Sequence, residues 1–409
     1  MAPFYKIPLM NTHWTLREWW DVVLGLGASG CPGVDRREEL AAWLHERFSG
    51  TPVLVNSGRS ALELAFCRMR KREPLAGRNR ILVPSLICPS VPRKIVKSGF
   101  TPVFYDLDDT FSACQQAAIA AADEDTAGIL FPYLYGKTTD LDRLVKYCHG
   151  RAPVLIEDCA ASFLLSDSNG VLTGTRGDYT IFSFATGKTI NAGSGGVLLD
   201  RTTTGDQKYA FPSGDWGQLF RAKILFIVQY PTQLGYLRPL SGPNTLAKLA
   251  EEQHSMSVVD SRLIQTQMRQ WPHSYVRKCR VLARYAANLA SCPELRLPQY
   301  IPNGYVNRLF VQFPSRIANR APSGGVSSRV IDFLKTRGVQ VSLPYFPAHR
   351  LAEFSDFAAA GMRWTDHFYE ALIEVPTQPT LDNHQIDYVC ETLIASLKLV
   401  EECTSAGVG

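Results

Sequence analysis

One lysine near the middle of the chain has the surroundings that a covalent cofactor anchor requires. Lys188 follows the apolar stretch 182–184 and precedes the glycine-rich run 191–196. Glycine lets the backbone approach a bound molecule closely, and functional side chains are often carried on such loops. Asp158 ends another apolar stretch upstream. An amine and a carboxylate presented in this way could form a Schiff base with pyridoxal phosphate (PLP) and hold its protonated ring nitrogen.

Two Gly-Lys-Thr tripeptides imitate the end of a phosphate-binding P-loop. They begin at Gly136 and Gly187. The complete motif has another glycine five positions before that glycine. This chain has Phe131 and Phe182 there, so the backbone cannot form the tight cradle around a triphosphate. The sequence therefore disfavours a nucleotide triphosphatase.

Length and composition indicate a large enzyme subunit. The chain has 409 residues, is 45% hydrophobic and carries a formal net charge of +5. This length allows two domains. Its 10 cysteines show no Cys-x-x-Cys spacing, so we expect reduced thiols in a cytoplasmic protein without a metal site. A mild positive charge without long basic runs favours small anionic substrates over nucleic acid.

The first half of the chain alternates apolar strands with helical stretches. Helices are predicted at 60–70 and 92–97. This alternation predicts an α/β fold, with a mostly parallel central sheet flanked by helices and ligands at the carboxyl ends of its strands. Asp158, Ser183 and the Asn56-Ser57-Gly58 turn lie at such ends. The predicted strands are 52–55, 81–83, 102–105, 128–133, 154–157, 180–184 and 196–199.

The last third of the chain has a different pattern. It predicts a long connecting helix and then a smaller α+β domain. We therefore assign residues 1–260 to a large cofactor-binding domain with an insertion at about 201–252, and residues 261–409 to the connecting helix and small domain. The predicted elements are helices at 261–290, 326–337 and 383–401 and strands at 308–313 and 340–343.

The order and spacing of these segments resemble the DegT/StrS-type sugar-nucleotide aminotransferases, which are PLP enzymes of the aspartate-aminotransferase fold (fold type I). The resemblance covers most of the chain, with Lys188 and Asp158 in register. No single segment is specific to this family, but the occurrence of all of them in the family's order is. The segments are 56–64, 99–106, 133–136, 157–160, 177–178 and 182–184.

The resemblance implies a role for each matching residue. Lys188 would carry PLP and later move a proton, and Asp158 would pair with the ring nitrogen. Ser183 would hold the phosphate together with Ser60 and the backbone N–H groups of residues 58–60, at a helix N-terminus that favours anions. Ala160 would pack against one face of the ring.

Several positions depart from the family pattern. Cys88 stands where the family has an aromatic ring that stacks on PLP, although a buried core thiol is the alternative interpretation. Ala161 replaces the usual glutamine that bonds the ring hydroxyl, a role left to Ser162 or water. Arg59 replaces the usual threonine after Ser-Gly.

The family also implies a homodimer whose active site is completed by the neighbouring subunit. The asparagine that a neighbouring subunit contributes in the family aligns near Gln253 or His254 of this chain. We therefore expect this segment to reach the phosphate of the other subunit.

A further departure is the apolar segment 219–240, which basic residues flank. It is too short for a membrane span, which needs about 20 apolar residues. The segment could be a helix that lies on a membrane surface, or a helix buried in the subunit or the dimer contact. The second interpretation is favoured, because amphipathic helices are more often packed against protein.

Two enzymatic functions remain open. The first is transfer of an amino group from an amino acid, with glutamate preferred, to a keto-sugar nucleotide or a related keto-cyclitol in glycan or natural-product assembly. The second is another PLP reaction on the same fold, such as elimination, decarboxylation or cyclisation. A non-enzymatic scaffold is disfavoured, because the chain retains Lys188.

Overall fold

A seven-stranded sheet forms the centre of the molecule. The computed structural model describes residues 6–10, 14–27, 33–72, 75–151, 153–202, 254–302, 304–314, 327–357 and 361–405. The strands are β1 (Thr51–Val55), β2 (Arg80–Pro84), β3 (Thr101–Tyr105), β4 (Thr126–Pro132), β5 (Val154–Asp158), β6 (Tyr179–Ser183) and β7 (Gly196–Asp200). Their order is β1-β7-β6-β5-β4-β2-β3. Only β7 runs antiparallel to its neighbours, which confirms the predicted mostly parallel sheet.

Helices cover both faces of this sheet, because successive side chains of each buried strand point to opposite faces. Leu155 packs into a core on one face, and Ile156 packs into a separate core on the other. The flanking helices are α1 (Leu16–Gly27), α2 (Arg37–Phe48), α3 (Gly58–Arg70), α4 (Ser90–Lys97), α5 (Gln115–Ala120) and α6 (Asp142–Cys148).

The C-terminal part has a second sheet and a core of its own. Its two strands, β8 (Leu309–Gln312) and β9 (Leu372–Val375), are antiparallel. Their side chains pack with the end of the connecting helix and the last helix. This part corresponds to the predicted small domain, whose boundary at residue 260 stays a prediction. The helices are α7 (Val258–Leu289), α8 (Ser327–Thr336), α9 (Arg363–Ala371) and α10 (Asn383–Ser405).

The predicted strand at 340–343 is wrong. Val339 makes a single bridge to Ile7, whereas Ser342 makes one to Glu374. Because the segment changes partner after two residues, no continuous ladder forms. Strand β9, which pairs with β8, was not predicted from the sequence.

The connecting helix α7 is fastened to α1 through buried polar groups. Arg262 Nη2 donates to Asp21 Oδ1 at 2.8 Å, and Thr266 Oγ1 donates to Asp21 Oδ2 at 2.5 Å. A buried carboxylate needs such partners, because its charge loses hydration. The start of α7 is thereby held beside the sheet.

The structure does not test the apolar segment 219–240, which lies outside the described residues, as does nearly all of the predicted insertion. In the ranges that are described, we find no helix with the length and apolar character needed to cross a membrane.

Candidate active site

Two neighbouring carboxylates at the end of β5 have different environments. Glu157 is fully buried and accepts hydrogen bonds from the Tyr133 hydroxyl and from the backbone N–H groups of Gly174, Arg176 and Gly177. These donors satisfy its charge. Because side chains alternate along a strand, Asp158 points to the other face.

Asp158 is half-buried, and its carboxylate accepts one hydrogen bond from the described residues, from the Ala160 backbone N–H at 3.0 Å. Burial raises its pKa above the ordinary value, while the charge of Lys188 and the Ala160 hydrogen bond oppose this shift. The carboxylate is therefore under-solvated and suited to receive a cationic or protonated group.

The loop between β6 and β7 presents Lys188 beside this carboxylate. The Lys188 backbone N–H donates to Ala185 O at 3.3 Å, and Ala185 forms a bridge with Gly193. Gly187 has a φ of +75°, and Asn307 Nδ2 donates to its carbonyl at 2.6 Å. Contacts at Ala185, Gly187 and Gly193 therefore hold the loop before and after Lys188.

Burial lowers the pKa of Lys188 below the ordinary lysine value. Asp158 and Cys88 oppose this shift, whereas the cationic Arg308 adds to it. These interactions show that the structure brings Lys188, Asp158 and Cys88 together. At neutral pH a larger share of this amine is uncharged than of an ordinary lysine, and the uncharged amine is the nucleophilic form.

The N-terminus of α3 lies against the end of β6. A Cβ on Gly58 would stand 2.7 Å from Ser183 Cβ, so only glycine permits this approach. The Ser60 N–H donates to Ser57 Oγ, and the Ser60 hydroxyl donates to Asn56 Oδ1 at 2.7 Å. Of the three N–H groups predicted to bind phosphate, that of Ser60 therefore already has an acceptor, Ser57 Oγ.

The remaining predicted site residues differ from one another in burial and in their neighbours. Ala160 is half-buried next to Asp158, and the Ala161 carbonyl lies 2.7 Å from the Cβ position of Gly136. Ser162 is completely buried. Cys88 is half-buried, with its sulfur 3.1 Å from Ser90 Oγ.

The segment that the sequence analysis assigned to the neighbouring subunit contacts β1 and its turn in the same chain. The His254 carbonyl accepts from the Asn56 N–H at 2.9 Å. His254 therefore lies beside the N-terminus of α3. Gln253 lies outside the described residues, and the role of both across a dimer contact stays a prediction.

A cavity of about 300 Å³ adjoins Lys188. Arg308 and Lys278, which line it, were not among the predicted site residues. The position of Arg308 directly before the apolar strand β8 could have indicated a site residue, whereas no sequence pattern marks Lys278 in the long helix. Further lining residues are Trp14, Glu18, Asn191, Gln267, Gln270, Trp271, Arg277, Tyr305, Asn307 and Glu374.

These residues fit PLP by their chemistry. The site offers an amine with a lowered pKa, a carboxylate that requires a cationic partner, and a helix N-terminus at Gly58 that lies against Ser183. By their chemistry, these three groups suit the carbonyl, the ring nitrogen and the phosphate of the cofactor, in that order.

Comparisons with known proteins agree with this geometry. The model of the DegT/DnrJ/EryC1/StrS aminotransferase family matches residues 34–394. UDP-N-acetyl-3-dehydro-alpha-D-glucosamine 3-aminotransferase of Acidithiobacillus ferrooxidans is 27% identical over 350 residues, which cover 83% of each chain. A dTDP-4-dehydro-2,6-dideoxy-D-glucose 3-dehydratase of Saccharopolyspora spinosa is 32% identical over 152 residues, 36% of this chain and 32% of its own length.

A solved structure has the same fold. Helicobacter pylori PseC, an aminotransferase involved in the biosynthesis of pseudoaminic acid, matches with a TM-score of 0.75 and 15% identity. The match covers 96% of this chain and 99% of PseC. The predicted fold is thereby confirmed, and the family match over residues 34–394 confirms the predicted cofactor, PLP.

The lowered pKa of Lys188 predicts its reactivity. In cofactor-free protein, acetylation of Lys188 should reach half its maximal rate at a pH below about 10.4, the ordinary lysine pKa. Asp158→Asn should move this midpoint lower still, because it removes a carboxylate that stabilises the ammonium form. Peptide mass spectrometry over a pH series measures both values. An upward shift in Asp158→Asn would contradict the electrostatic coupling of the two residues.

Proposed function

The chain belongs to the DegT/DnrJ/EryC1/StrS aminotransferase family, and from this premise we propose that it transfers an amino group from an amino acid to a keto-sugar nucleotide or a related keto-cyclitol. L-glutamate is the proposed donor. The observation that carries the proposal is Lys188, an amine with a lowered pKa that faces Asp158 beside a polar cavity. The name of the Acidithiobacillus relative supports a nucleotide-linked acceptor.

The proposed mechanism gives Lys188 and Asp158 different tasks. PLP, when bound, withdraws electrons from the carbon that bears the amino group and so acidifies the hydrogen on that carbon. The uncharged Lys188 Nζ would take this proton and return it during transfer. The Asp158 carboxylate would keep the ring nitrogen protonated, and the resulting ion pair would offset the cost of its burial.

Other residues would hold the cofactor in place. The Gly58 and Arg59 N–H groups and the Ser183 hydroxyl would bind the phosphate at the N-terminus of α3. Ala160 would lie on one face of the ring and Cys88 on the other. The influence of Cys88 on the pKa of Lys188 supports the placement of its thiol at the site, although Cys88 also packs against the core.

A second reaction remains as the alternative. The partial match to a sugar dehydratase supports elimination of water from a keto-sugar nucleotide on the same fold. The two reactions differ in one observable outcome, because only transamination incorporates donor nitrogen into the sugar.

Isotope transfer distinguishes these reactions. With ¹⁵N-labelled L-glutamate and a panel of nucleotide-linked 3-keto and 4-keto hexoses, we expect an amino sugar nucleotide that contains ¹⁵N, detected by mass spectrometry. Asp158→Ala should lower turnover by several powers of ten, since an unprotonated ring is a poor electron acceptor. Each tenfold loss corresponds to about 1.4 kcal/mol of barrier.

The control is Asp109→Ala, which removes an exposed carboxylate and should keep wild-type turnover. Loss of water from the sugar without ¹⁵N incorporation would contradict transamination and support the elimination reaction instead. Wild-type turnover in cofactor-loaded Asp158→Ala would refute the role of that aspartate.

We also propose that the protein is a cytoplasmic homodimer with small-molecule substrates. Helix α1 supports the dimer, because Leu16, Trp20 and Val23 lie on one face and are 90%, 61% and 56% exposed. A contiguous apolar patch of this kind marks an interaction surface. The segment 219–240 would be buried in the subunit or the dimer, with contact to a membrane surface as the less favoured role.

The proposed dimer predicts a defined change in mass. Wild-type protein should sediment as a dimer, and Trp20→Glu should shift it towards the monomer, because a charge on the apolar face of α1 opposes burial. Lys71→Glu changes an exposed residue on another helix end and should leave the dimer intact. A wild-type protein that is monomeric and fully active would contradict the proposal.

A further inference from the structure

The loop that carries Lys188 has little regular structure of its own. Between β6 and β7 it consists of turns, bends and single bridges. Gly187 and Gly193, before and after the lysine, have φ values of +75° and +84°. Glycine loses more conformational freedom on ordering than any other residue. The position of Lys188 therefore depends on contacts that the rest of the chain makes with this loop.

Two side-chain amides bind the loop backbone, one before the lysine and one after it. Asn307 Nδ2 donates to the Gly187 carbonyl at 2.6 Å. On the other side, Gln267 Oε1 accepts from the Asn191 N–H at 2.6 Å, and Gln267 Nε2 donates to the Asn191 carbonyl at 2.8 Å. Gln267 thus binds both backbone groups of one residue, as a neighbouring antiparallel strand does.

Glu18 on α1 determines which way the Gln267 amide points. Glu18 is only 3% exposed, and its Oε1 accepts from Gln267 Nε2 at 2.7 Å. An ionised carboxylate can only accept hydrogen bonds, so the end of the amide beside Glu18 must be the NH₂ group. Its two hydrogens are then directed to Glu18 and to the Asn191 carbonyl, and Oε1 faces the Asn191 N–H.

Glu18 is held in place by the start of α1 and by the packing of α1 on α7. Its Oε2 accepts from the Thr15 N–H at 2.7 Å and from the Thr15 hydroxyl at 2.9 Å. Asp21, three residues later, binds Arg262 and Thr266 of α7. Residues three apart share one face of a helix, so both carboxylates lie on the face of α1 that packs against α7. The contact between the two helices therefore extends to the lysine loop.

The segment before α1 contacts the same loop. Trp14 Nε1 donates to the Asn191 carbonyl at 3.2 Å. A Cβ on Gly187 would stand 2.8 Å from Met10 Sδ, so Met10 packs directly against this glycine. The N-terminal segment thus reaches the loop on both sides of Lys188.

We propose that Gln267 is a positioning residue for Lys188 and that Glu18 fixes the orientation of its amide. Without this contact, residues 189–193 would lose a backbone partner, and Lys188 would no longer be held beside Asp158. The proposal rests on the proposed aminotransferase function for the catalytic role of Lys188. It adds a role in the reaction for α1 and α7, which the cofactor-binding residues do not include.

Hydrogen exchange in the cofactor-free protein tests the contact. Gln267→Met keeps the length of the side chain and removes the amide. We expect the amide hydrogens of residues 189–193 to exchange about 10- to 100-fold faster than in the wild type, because two hydrogen bonds to the loop are lost. Mass spectrometry of the peptide that contains these residues measures the rates.

The matched control makes the same substitution two residues earlier in α7. Gln265 Nε2 donates to the Arg36 carbonyl at 3.0 Å, away from the lysine loop. Gln265→Met should therefore leave the exchange of residues 189–193 unchanged. Wild-type exchange in Gln267→Met, or equal acceleration in both variants, would overturn the proposal.

The reactivity of Lys188 reports its position. Burial lowers the pKa of this amine, so an amine that leaves its buried place should regain a higher pKa. In cofactor-free Gln267→Met, the pH at which acetylation of Lys188 is half-maximal should rise towards about 10.4. This direction is opposite to that expected for Asp158→Asn. A midpoint equal to that of the wild type would mean that Gln267 only supports helix packing, and would overturn the proposal.

An exchange of the two side chains tests the role of Glu18 and guards against misfolding. Gln267→Glu alone places a carboxylate against Glu18 and the Asn191 carbonyl, so residues 189–193 should exchange faster. In Glu18→Gln/Gln267→Glu, the new amide at position 18 can donate to the new carboxylate at position 267, which still accepts from the Asn191 N–H. We expect the double variant to recover most of the wild-type protection. A double variant no better protected than Gln267→Glu would overturn the orienting role of Glu18.

The cofactor-loaded protein separates this proposal from the proposed function. With L-glutamate, Gln267→Met should lower the limiting rate of the donor half-reaction about 10- to 100-fold, since a small displacement of a reacting group has effects of this size. The half-saturating glutamate concentration should change far less. An unchanged limiting rate would overturn the positioning role. Failure of every amino acid to convert the wild-type cofactor would instead refute the aminotransferase function, and the measurements on cofactor-free protein would still decide the role of Gln267.

Discussion

The site depends on the confinement of Lys188 and Asp158 in one half-buried space. Burial disfavours the charged form of each residue, and each charge partly offsets that cost for the other. Strand order produces this pairing, because β5 ends in Asp158 and its neighbour β6 leads into the lysine loop. The antiparallel return of β7 turns that loop back across the carboxyl edge of the sheet. Because the amine and the carboxylate are both poorly solvated, contacts with a bound cofactor would replace their interaction with each other at little cost.

The C-terminal part contacts the carboxyl edge of the large sheet at one turn, whose backbone is strained at Tyr135. Tyr135 has a φ of +55°, and its carbonyl accepts from the N–H groups of Asn307 and Arg308 at 2.9 and 3.1 Å. Its hydroxyl accepts from the Tyr345 N–H at 2.8 Å. The next residue must be glycine, because a Cβ on Gly136 would stand 2.6 Å from Asn307 N. A backbone conformation of this kind costs of order 1–3 kcal/mol and persists where surrounding contacts impose it.

This turn joins the small sheet to the lysine loop of the large one. Asn307 donates a hydrogen bond to the lysine loop and Arg308 lines the cavity, so one dipeptide links the small sheet to both. Glu374 on β9 fixes the guanidinium from the opposite side. Each sheet therefore brings charged residues to this region, Lys188 and Asp158 from the first and Arg308 and Glu374 from the second.

The sequence predicted those parts of the structure that depend on local patterns. Apolar strands that end in Asp158 and Ser183 were recognisable, because buried parallel strands are continuous apolar runs and ligand sites lie at their ends. The strand β9 was missed, since its four residues follow α9 without a turn signal. Arg308 contacts Glu374 and Lys278 contacts Thr377, residues far apart in the chain, and no periodicity encodes these contacts. The Ser60 hydroxyl likewise bonds Asn56, which only the folded turn reveals.

The most direct test of the central claim is to locate the cofactor on the chain. Lys278 lines the same cavity, and burial lowers its pKa to about 7, so it is a real competitor for the carbonyl group of PLP. Borohydride reduction of the PLP-loaded protein, followed by peptide mass spectrometry, shows which lysine carries the added mass. The account predicts the mass of the reduced cofactor on the Lys188 peptide and no label in Lys188→Ala. Label on Lys278 in the wild type, or undiminished label in Lys188→Ala, would contradict it.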